Sequence, residues 1–78
     1  MATYQGSQIR ETLKEANYSL FATLDEDTVI VRDNENMVLE VYAKNNDYSG
    51  HVLEINGIGY EFVRTVLTTD LELCSPIN

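Results

Sequence analysis

The chain is poor in the residues on which most enzymes and secreted proteins depend. Its 78 residues include no tryptophan, one proline, one cysteine and one histidine. A lone Cys74 cannot form an internal disulfide, which favours a reducing compartment. No window approaches the roughly eighteen apolar residues of a membrane helix, and the first residues lack the basic region and apolar run of a signal peptide. We therefore expect a cytoplasmic protein.

Basic side chains are also scarce, with five Lys and Arg against thirteen Asp and Glu, for a net charge of -8. This imbalance favours attraction to a positively charged partner and disfavours direct binding to nucleic acid or to an anionic membrane. A chain of this length hides only ~60% of its unfolded surface, which suffices for one core and not for a deep cleft. We expect a complete small protein with a single domain over residues 1–78, in which residues 75–78 form a loose tail.

A helical period occurs only near the start of the chain. Ser7 is a suitable N-cap, and Asn17 tolerates the left-handed conformation that ends helices. The pattern predicts one N-terminal helix over residues 8–16. The apolar residues on one face of this helix, at steps of four, three and four, are Ile9, Leu13, Ala16 and Leu20, the last of which can equally belong to the next element.

From residue 18 the apolar period changes to two. Connections as short as those between the apolar segments join antiparallel neighbours, because a parallel pair needs a crossover of about a dozen residues. We expect an α+β fold, an antiparallel β-meander of about five strands with the N-terminal helix packed on one face. A short sixth strand over residues 71–74 is a further candidate. The five segments are YSLFATL (18–24), TVIVRD (28–33), MVLEVYAK (37–44), HVLEI (51–55) and IGYEFVRTVL (58–67).

Asn56 and Gly57 match the two-residue turn of a β-hairpin between the last two segments. In that register Glu54, Gly59 and Glu61 share the side that faces away from the core. The pairs on the core side are Ile55 with Ile58, Leu53 with Tyr60, and His51 with Phe62. The whole predicted core is Ile9, Leu13, Leu20, Val29, Val31, Leu39, Val41, Leu53, Ile55, Tyr60 and Phe62.

The same alternation in residues 37–44 predicts that Glu40 and Tyr42 face outward, on the side that carries Glu54 and Glu61. The other reading is that the acids only fill solvated positions and turns of a soluble sheet. The scarcity of cations favours an acidic face that binds a basic partner. The predicted partner-binding residues are Glu40, Tyr42, Glu54, Glu61, Asp25, Glu26, Asp27, Asp33, Glu35, Asp47 and Tyr48, with the two tyrosines as aromatic anchors.

Catalytic and metal-binding interpretations have little support. His51 falls in phase with core residues, and a Cys74 thiol would need an imidazole within hydrogen-bond reach, which nothing in the sequence provides. Residues 33–36 resemble the start of a calcium loop, but Val38 stands where that loop requires glycine. We predict no catalytic residue, no metal site and no cofactor.

Three functional classes remain, and we give them in order of preference. The first is a small acidic binding protein that occupies a basic groove, such as that of a nucleic-acid-binding complex. Compact acidic chains of this size are similar in character to phage-encoded inhibitors, including anti-CRISPR proteins and DNA mimics, which implies the host cytoplasm. The second is an assembly subunit that forms a homodimer through a sheet edge or face. The third is an enzyme.

Overall fold

The computed structural model describes residues 9–45 and 51–76. Within them it contains seven strands and two short helices. In chain order these are β1 (Ile9–Thr12), α1 (Leu13–Ala16), β2 (Tyr18–Asp25), β3 (Thr28–Asp33), β4 (Val38–Lys44), β5 (His51–Ile55), β6 (Ile58–Thr65), α2 (Thr68–Leu73) and β7 (Ser75–Pro76).

The N-terminal helix is much shorter than the sequence predicts. Residues 9–12 form a strand that pairs in parallel with β5, so the predicted helix over 8–16 is wrong in its first half. Thr12 is the N-cap of α1, where its hydroxyl accepts from the Glu15 amide and the Glu15 carboxylate accepts from the Thr12 amide. The sequence Thr-Leu-Lys-Glu is a capping box that marks this start. Asn17 ends the helix at φ 62°, as predicted. Ser7 lies outside the described residues.

The sheet is mixed and its order is β1-β5-β6-β4-β3-β2-β7. The predicted strands over residues 18–67 are present with shifted ends, but they do not form a meander. β6 lies between β4 and β5, and it is antiparallel to both. β4 and β5 therefore run in the same direction, and the short connection between them joins strands that are not neighbours. The six residues 45–50 can connect them because the strands are staggered: β4 ends with Lys44 opposite Tyr60, and β5 starts at His51, two residues before Leu53 reaches the same level.

The sheet is coiled rather than flat. Five steps of about 4.8 Å would separate β1 from β2 by about 24 Å in a flat sheet. The chain from Thr12 to Tyr18 is mostly helical at about 1.5 Å per residue and spans only about 11 Å. α1 contacts β1, β2 and β5. The two sides of the sheet therefore approach each other, and α1 bridges the gap between them.

Both faces of the sheet are partly covered. The inner face, which α1 covers, carries one buried cluster: Val29, Val31, Tyr42, Leu53, Ile55 and Tyr60. The outer face carries a second cluster of Ala22, Ile30 and Val41, against which Val66 and Cys74 pack. Because apolar residues are needed on both faces, alternation alone does not reveal which face a polar residue occupies.

Three bulges in the described strands shift the alternation of side chains. Phe21 and Leu24 have no counterpart on β3, and Val63 has none on β4. Each extra residue moves its successor to the other face, so that Ala22, Asp25 and Arg64 lie on the outer face. Phe21 and Val63 are themselves about half exposed.

The predicted core is largely confirmed. Nine of its members are buried or pack against the buried clusters. Phe62 is 51% exposed, and the Ile9 side chain is not among those that the structure describes. Among the described residues, four buried apolar ones were not predicted: Ala22, Ile30, Tyr42 and Val52.

The C-terminal segment differs from its prediction as well. Residues 71–74 lie in α2 and its C-cap instead of a sixth strand. Ser75 and Pro76, predicted to lie in a loose tail, pair with Thr23 and Ala22 of β2. Within this segment the buried Asp70 accepts two hydrogen bonds from the Arg64 guanidinium, at 2.5 and 2.7 Å.

Candidate functional site

A row of acidic residues crosses one end of the outer face. Asp25 pairs with Thr28, Thr28 with Ala43, and Ala43 with Glu61. Directly paired residues project from the same face, so Asp25 and Glu61 share the outer face across three strand spacings, or about 14 Å. The register alone therefore brings together two carboxylates that are 36 positions apart in the sequence.

Glu54 extends this row onto β5. It pairs with Gly59, two residues before Glu61, which places the two glutamates on a diagonal of about 7–8 Å. The prediction that Glu54 and Glu61 share the side opposite Leu53 is confirmed. Arg10 on β1 forms an ion pair with Glu54 at 3.2 Å between Nη2 and Oε1.

The β2–β3 turn adds two carboxylates at the same end. The Asp25 carboxylate accepts from the Asp27 amide at 2.8 Å, which shapes the turn, and Glu26 is exposed. Asp27 pairs with Lys44 at 3.2 Å between Oδ1 and Nζ. We call Asp25, Glu26, Asp27, Glu54 and Glu61 the acidic row.

The Glu61 carboxylate has a fixed orientation. The Asn45 side-chain amide donates to Glu61 Oε1 at 2.6 Å, and the Asn45 backbone amide donates to the Gly59 carbonyl at 2.9 Å. Asn45 is buried and thereby holds an exposed glutamate in one position. No sequence pattern indicates this contact, since no spacing rule links residues 45 and 61.

The cations of the chain do not neutralise the row. All five Lys and Arg side chains lie in the described ranges, and only Arg10 and Lys44 pair with members of the row. Arg64 is engaged by Asp70, Arg32 directs Nη2 toward the Met37 sulfur at 3.1 Å, and Lys14 is exposed on α1. Among the residues that the structure describes, Asp25, Glu26 and Glu61 have no ion pair.

Glu40 and Tyr42 lie elsewhere than predicted. Both project from the inner face, because Tyr42 pairs with Phe62 and Glu40 pairs with Thr65 beyond the Val63 bulge. Tyr42 is 6% exposed and donates its hydroxyl to Glu40 at 3.3 Å. Tyr42 is therefore a core residue, and Glu40 does not belong to the acidic row. The error arose from the assumption that only one face of the sheet is apolar.

Asp33 and Glu35 also lie away from the row, in the β3–β4 turn at the opposite end of β3. Asp33 is buried, and its carboxylate accepts from the backbone amides of Glu35 and Asn36 and from the Asn36 side chain. The Asn36 hydrogen bonds lower the pKa of Asp33 below its ordinary value. Its role is to shape the turn. Asp47 and Tyr48 lie outside the described residues.

The residues weighed for catalysis are separated. His51 is exposed on β5, where Nε2 lies 2.7 Å from a Glu11 carboxylate oxygen, so its predicted core position is wrong. Cys74 packs against the outer-face cluster and its thiol donates to the Leu71 carbonyl at 3.4 Å. Cys74, the C-cap of α2, lies against the outer face of the sheet, whereas His51 is in phase with Leu53 on the inner face. Within residues 9–45 and 51–76, no three His, Cys, Asp or Glu side chains are grouped to hold a metal ion.

Neither helix in the described part of the chain has the length and apolar character needed to cross a membrane. Comparisons with protein families, with curated proteins and with solved structures found no match to this chain. Functional inference therefore depends on the site geometry alone.

Proposed function

We propose that the protein is a small acidic, non-catalytic binding protein that docks the acidic row onto a basic protein surface. The observation that carries the proposal is the placement of Asp25, Glu54 and Glu61 at one end of the outer face, with Glu26 and Asp27 in the adjoining turn and only two cations beside the five carboxylates. Uncompensated charge on one patch steers association with a partner of opposite sign.

The net charge also favours a particular kind of partner. A protein or complex that binds nucleic acid presents a basic groove, and an acidic chain can occupy that groove in place of the phosphate backbone. An inhibitor of the phage type, which includes anti-CRISPR proteins and DNA mimics, is one form of this function. The charge of -8 and the small size of the chain support that form.

Chemical-shift mapping tests whether the row is the preferred contact surface. The ¹⁵N-labelled protein is titrated with a deca-arginine peptide as a basic probe. We expect the largest shifts at the amides of residues 25–27, 54 and 61, since charge density is highest there. Equal shifts around the isolated exposed acids Glu15, Glu35 and Glu72 would contradict the proposal, because the probe would then sense only the net charge.

A homo-oligomeric assembly subunit is the second candidate, and one observation favours it. Phe21 on β2 and Leu71 on α2 are 45% and 44% exposed. They line an open apolar groove of about 460 Å³ together with Ala22, Cys74 and Pro76. Light scattering on the wild type and on Leu71→Ser separates the candidates. A dimer that Leu71→Ser dissociates supports assembly, and a monomer in both supports the binding protein.

A further inference from the structure

Glu40 is a partly buried carboxylate that forms no ion pair with any residue the structure describes. It lies on the inner face, where it accepts the hydroxyl hydrogen bond of Tyr42 at 3.3 Å. Arg32 and Arg64 pair with Leu39 and Val41, the neighbours of Glu40, and therefore project from the outer face. Lys44 is on the inner face but is engaged by Asp27.

The segments outside the description contain no Lys, Arg or His side chain, so they supply no basic side chain to Glu40 either. A carboxylate that is partly removed from water is costly to leave without an opposite charge. The position of Glu40 is therefore suited to a positive group that is not part of this chain.

Two tyrosine rings, Tyr42 and Tyr18, lie beside this carboxylate, and the Phe62 ring packs against Tyr42. The Tyr42 ring packs edge-to-face with Tyr18 at 6.1 Å and with Phe62 at 5.8 Å between centroids. Phe62 is half exposed on the same face, so its ring is accessible from solvent. The faces of aromatic rings carry negative electrostatic potential and attract cations.

The surroundings of the two tyrosine hydroxyls are also negative. Burial raises the pKa of Tyr42, and its hydrogen bond with Tyr18 and the charge of Glu40 raise it further. The pKa of Tyr18 is likewise raised, first by burial and then by the charge of Glu40. Both phenols remain neutral donors at physiological pH, which leaves Glu40 as the charged group of the cluster.

We propose that Glu40, Tyr18, Tyr42 and Phe62 form a binding site for an arginine side chain of a basic protein. A guanidinium group suits this site because it is planar, stacks on an aromatic ring and donates to a carboxylate through several N–H groups. The site is on the inner face, opposite the acidic row, and rests on the proposed function only for the kind of occupant, a basic protein. The aliphatic part of the arginine would cover the exposed Phe62 ring.

A small probe tests this site without the partner. Nα-acetyl-arginine amide is titrated into ¹⁵N,¹³C-labelled protein, with the citrulline analogue as an uncharged control of nearly the same shape. We expect shifts at the Phe62 ring and the Glu40 side chain, and binding about tenfold weaker for the citrulline compound. Equal shifts with both compounds, or shifts that avoid Phe62 and Glu40, would overturn the proposal.

Variants separate this site from an effect of net charge. Glu40→Gln keeps an acceptor for the Tyr42 hydroxyl and Phe62→Leu keeps an apolar side chain, and each should weaken arginine-amide binding about fivefold to tenfold. Glu72→Gln removes the same charge from the exposed surface of α2 and should leave binding unchanged. Equal weakening by Glu72→Gln and Glu40→Gln would show that only net charge matters, and would refute the site. Failure of the acidic row to localise deca-arginine would instead count against the proposed function alone.

Discussion

At the scale of single residues, Met37 occupies a conformation that is unusual for its type. It ends the β3–β4 turn at φ 61°, its amide donates to the Asp33 carbonyl, and its side chain is 64% exposed. The left-handed region costs a residue with a Cβ about 1 kcal/mol, a penalty that glycine avoids. Met37→Gly should therefore raise the free energy of unfolding by up to about 1 kcal/mol. The measurement is urea unfolding, and a destabilised Met37→Gly would contradict the turn geometry.

The buried Asp70 gives the protein a residue-scale pH dependence. The Arg64 hydrogen bonds, together with the Leu67 amide, lower the pKa of Asp70 from 3.8 to about 2. Because the folded-state pKa is below the unfolded one, the stabilisation is complete above about pH 5 and is lost as the pH falls through 2. Thermal melting of Asp70→Asn should show a lower Tm than wild type at pH 7, with the difference shrinking below pH 4. Glu72→Gln on the same helix is the control, and an equal Tm loss there would contradict this account.

The sequence predicted the burial of single residues correctly where the turn of a hairpin determines which side chains share a face. Leu53, Ile55 and Tyr60 are buried as expected, because the Asn-Gly turn fixes their register. Tyr42 and Phe62 exchanged their expected environments. The two share a face, but the sheet coils and α1 covers only part of its inner face, and alternation contains no information about either effect.

At the scale of elements, α1 depends on its cap more than on its length. Four residues are too few for a helix to be stable by propensity alone, so the reciprocal Thr12–Glu15 hydrogen bonds and packing on the sheet maintain it. Thr12→Ala should lower the free energy of unfolding by about 1 kcal/mol, and Thr12→Ser should retain most of it. Urea unfolding distinguishes the two. Equal stability of both variants would mean that the capping box contributes nothing.

The strands were predictable as elements, and the N-terminal helix was not. β-branched and aromatic alternation located β2 to β6 to within one or two residues at most ends. β1 escaped because Ile9, Leu13 and Ala16 also fit a helical period, whereas the edge of β5 offers residues 9–12 a row of backbone hydrogen bonds. Local pattern does not record a partner strand that lies 42 residues away.

At the scale of the whole molecule, alanine variants of Leu53 and Phe62 should differ in stability, although the sequence predicts both residues to be in the core. Leu53 is 1% exposed within the inner cluster, and Leu53→Ala should cost about 2–5 kcal/mol. A domain of this size has only about 5–10 kcal/mol of stability, so this variant should be extensively unfolded on mild heating. Phe62→Ala should cost about 1 kcal/mol, since the ring is half exposed. Similar melting temperatures for the two variants would contradict the assigned faces.

The order of the strands in the whole sheet could not be predicted from the sequence. Turn residues identified the hairpins β2–β3, β3–β4 and β5–β6 correctly, since each is closed by a short polar turn. The position of β6 between β4 and β5 could not be predicted in this way, because the pairing of β4 with β6 depends on tertiary contacts. The acidic row follows from that position, because it places Glu61 beside Ala43 and brings it into line with Asp25. Glu54 and Glu61 alone were predictable, through the Asn-Gly turn.

The central claim, that the acidic row steers the protein onto a basic surface, is tested by the association rate at low and high salt. The row variant Asp25→Asn/Glu26→Gln/Glu61→Gln keeps the acceptors that Asp27 and Asn45 use. The control Glu15→Gln/Glu35→Gln/Glu72→Gln has the same net charge and keeps a glutamine in the capping box.

Surface plasmon resonance on immobilised deca-arginine peptide compares the two variants with the wild type. We predict that the row variant associates several-fold more slowly at low salt and loses most of its salt dependence, while the control stays close to the wild type. Equal slowing of both variants would contradict the claim, because the net charge of the chain and not the row would then govern binding.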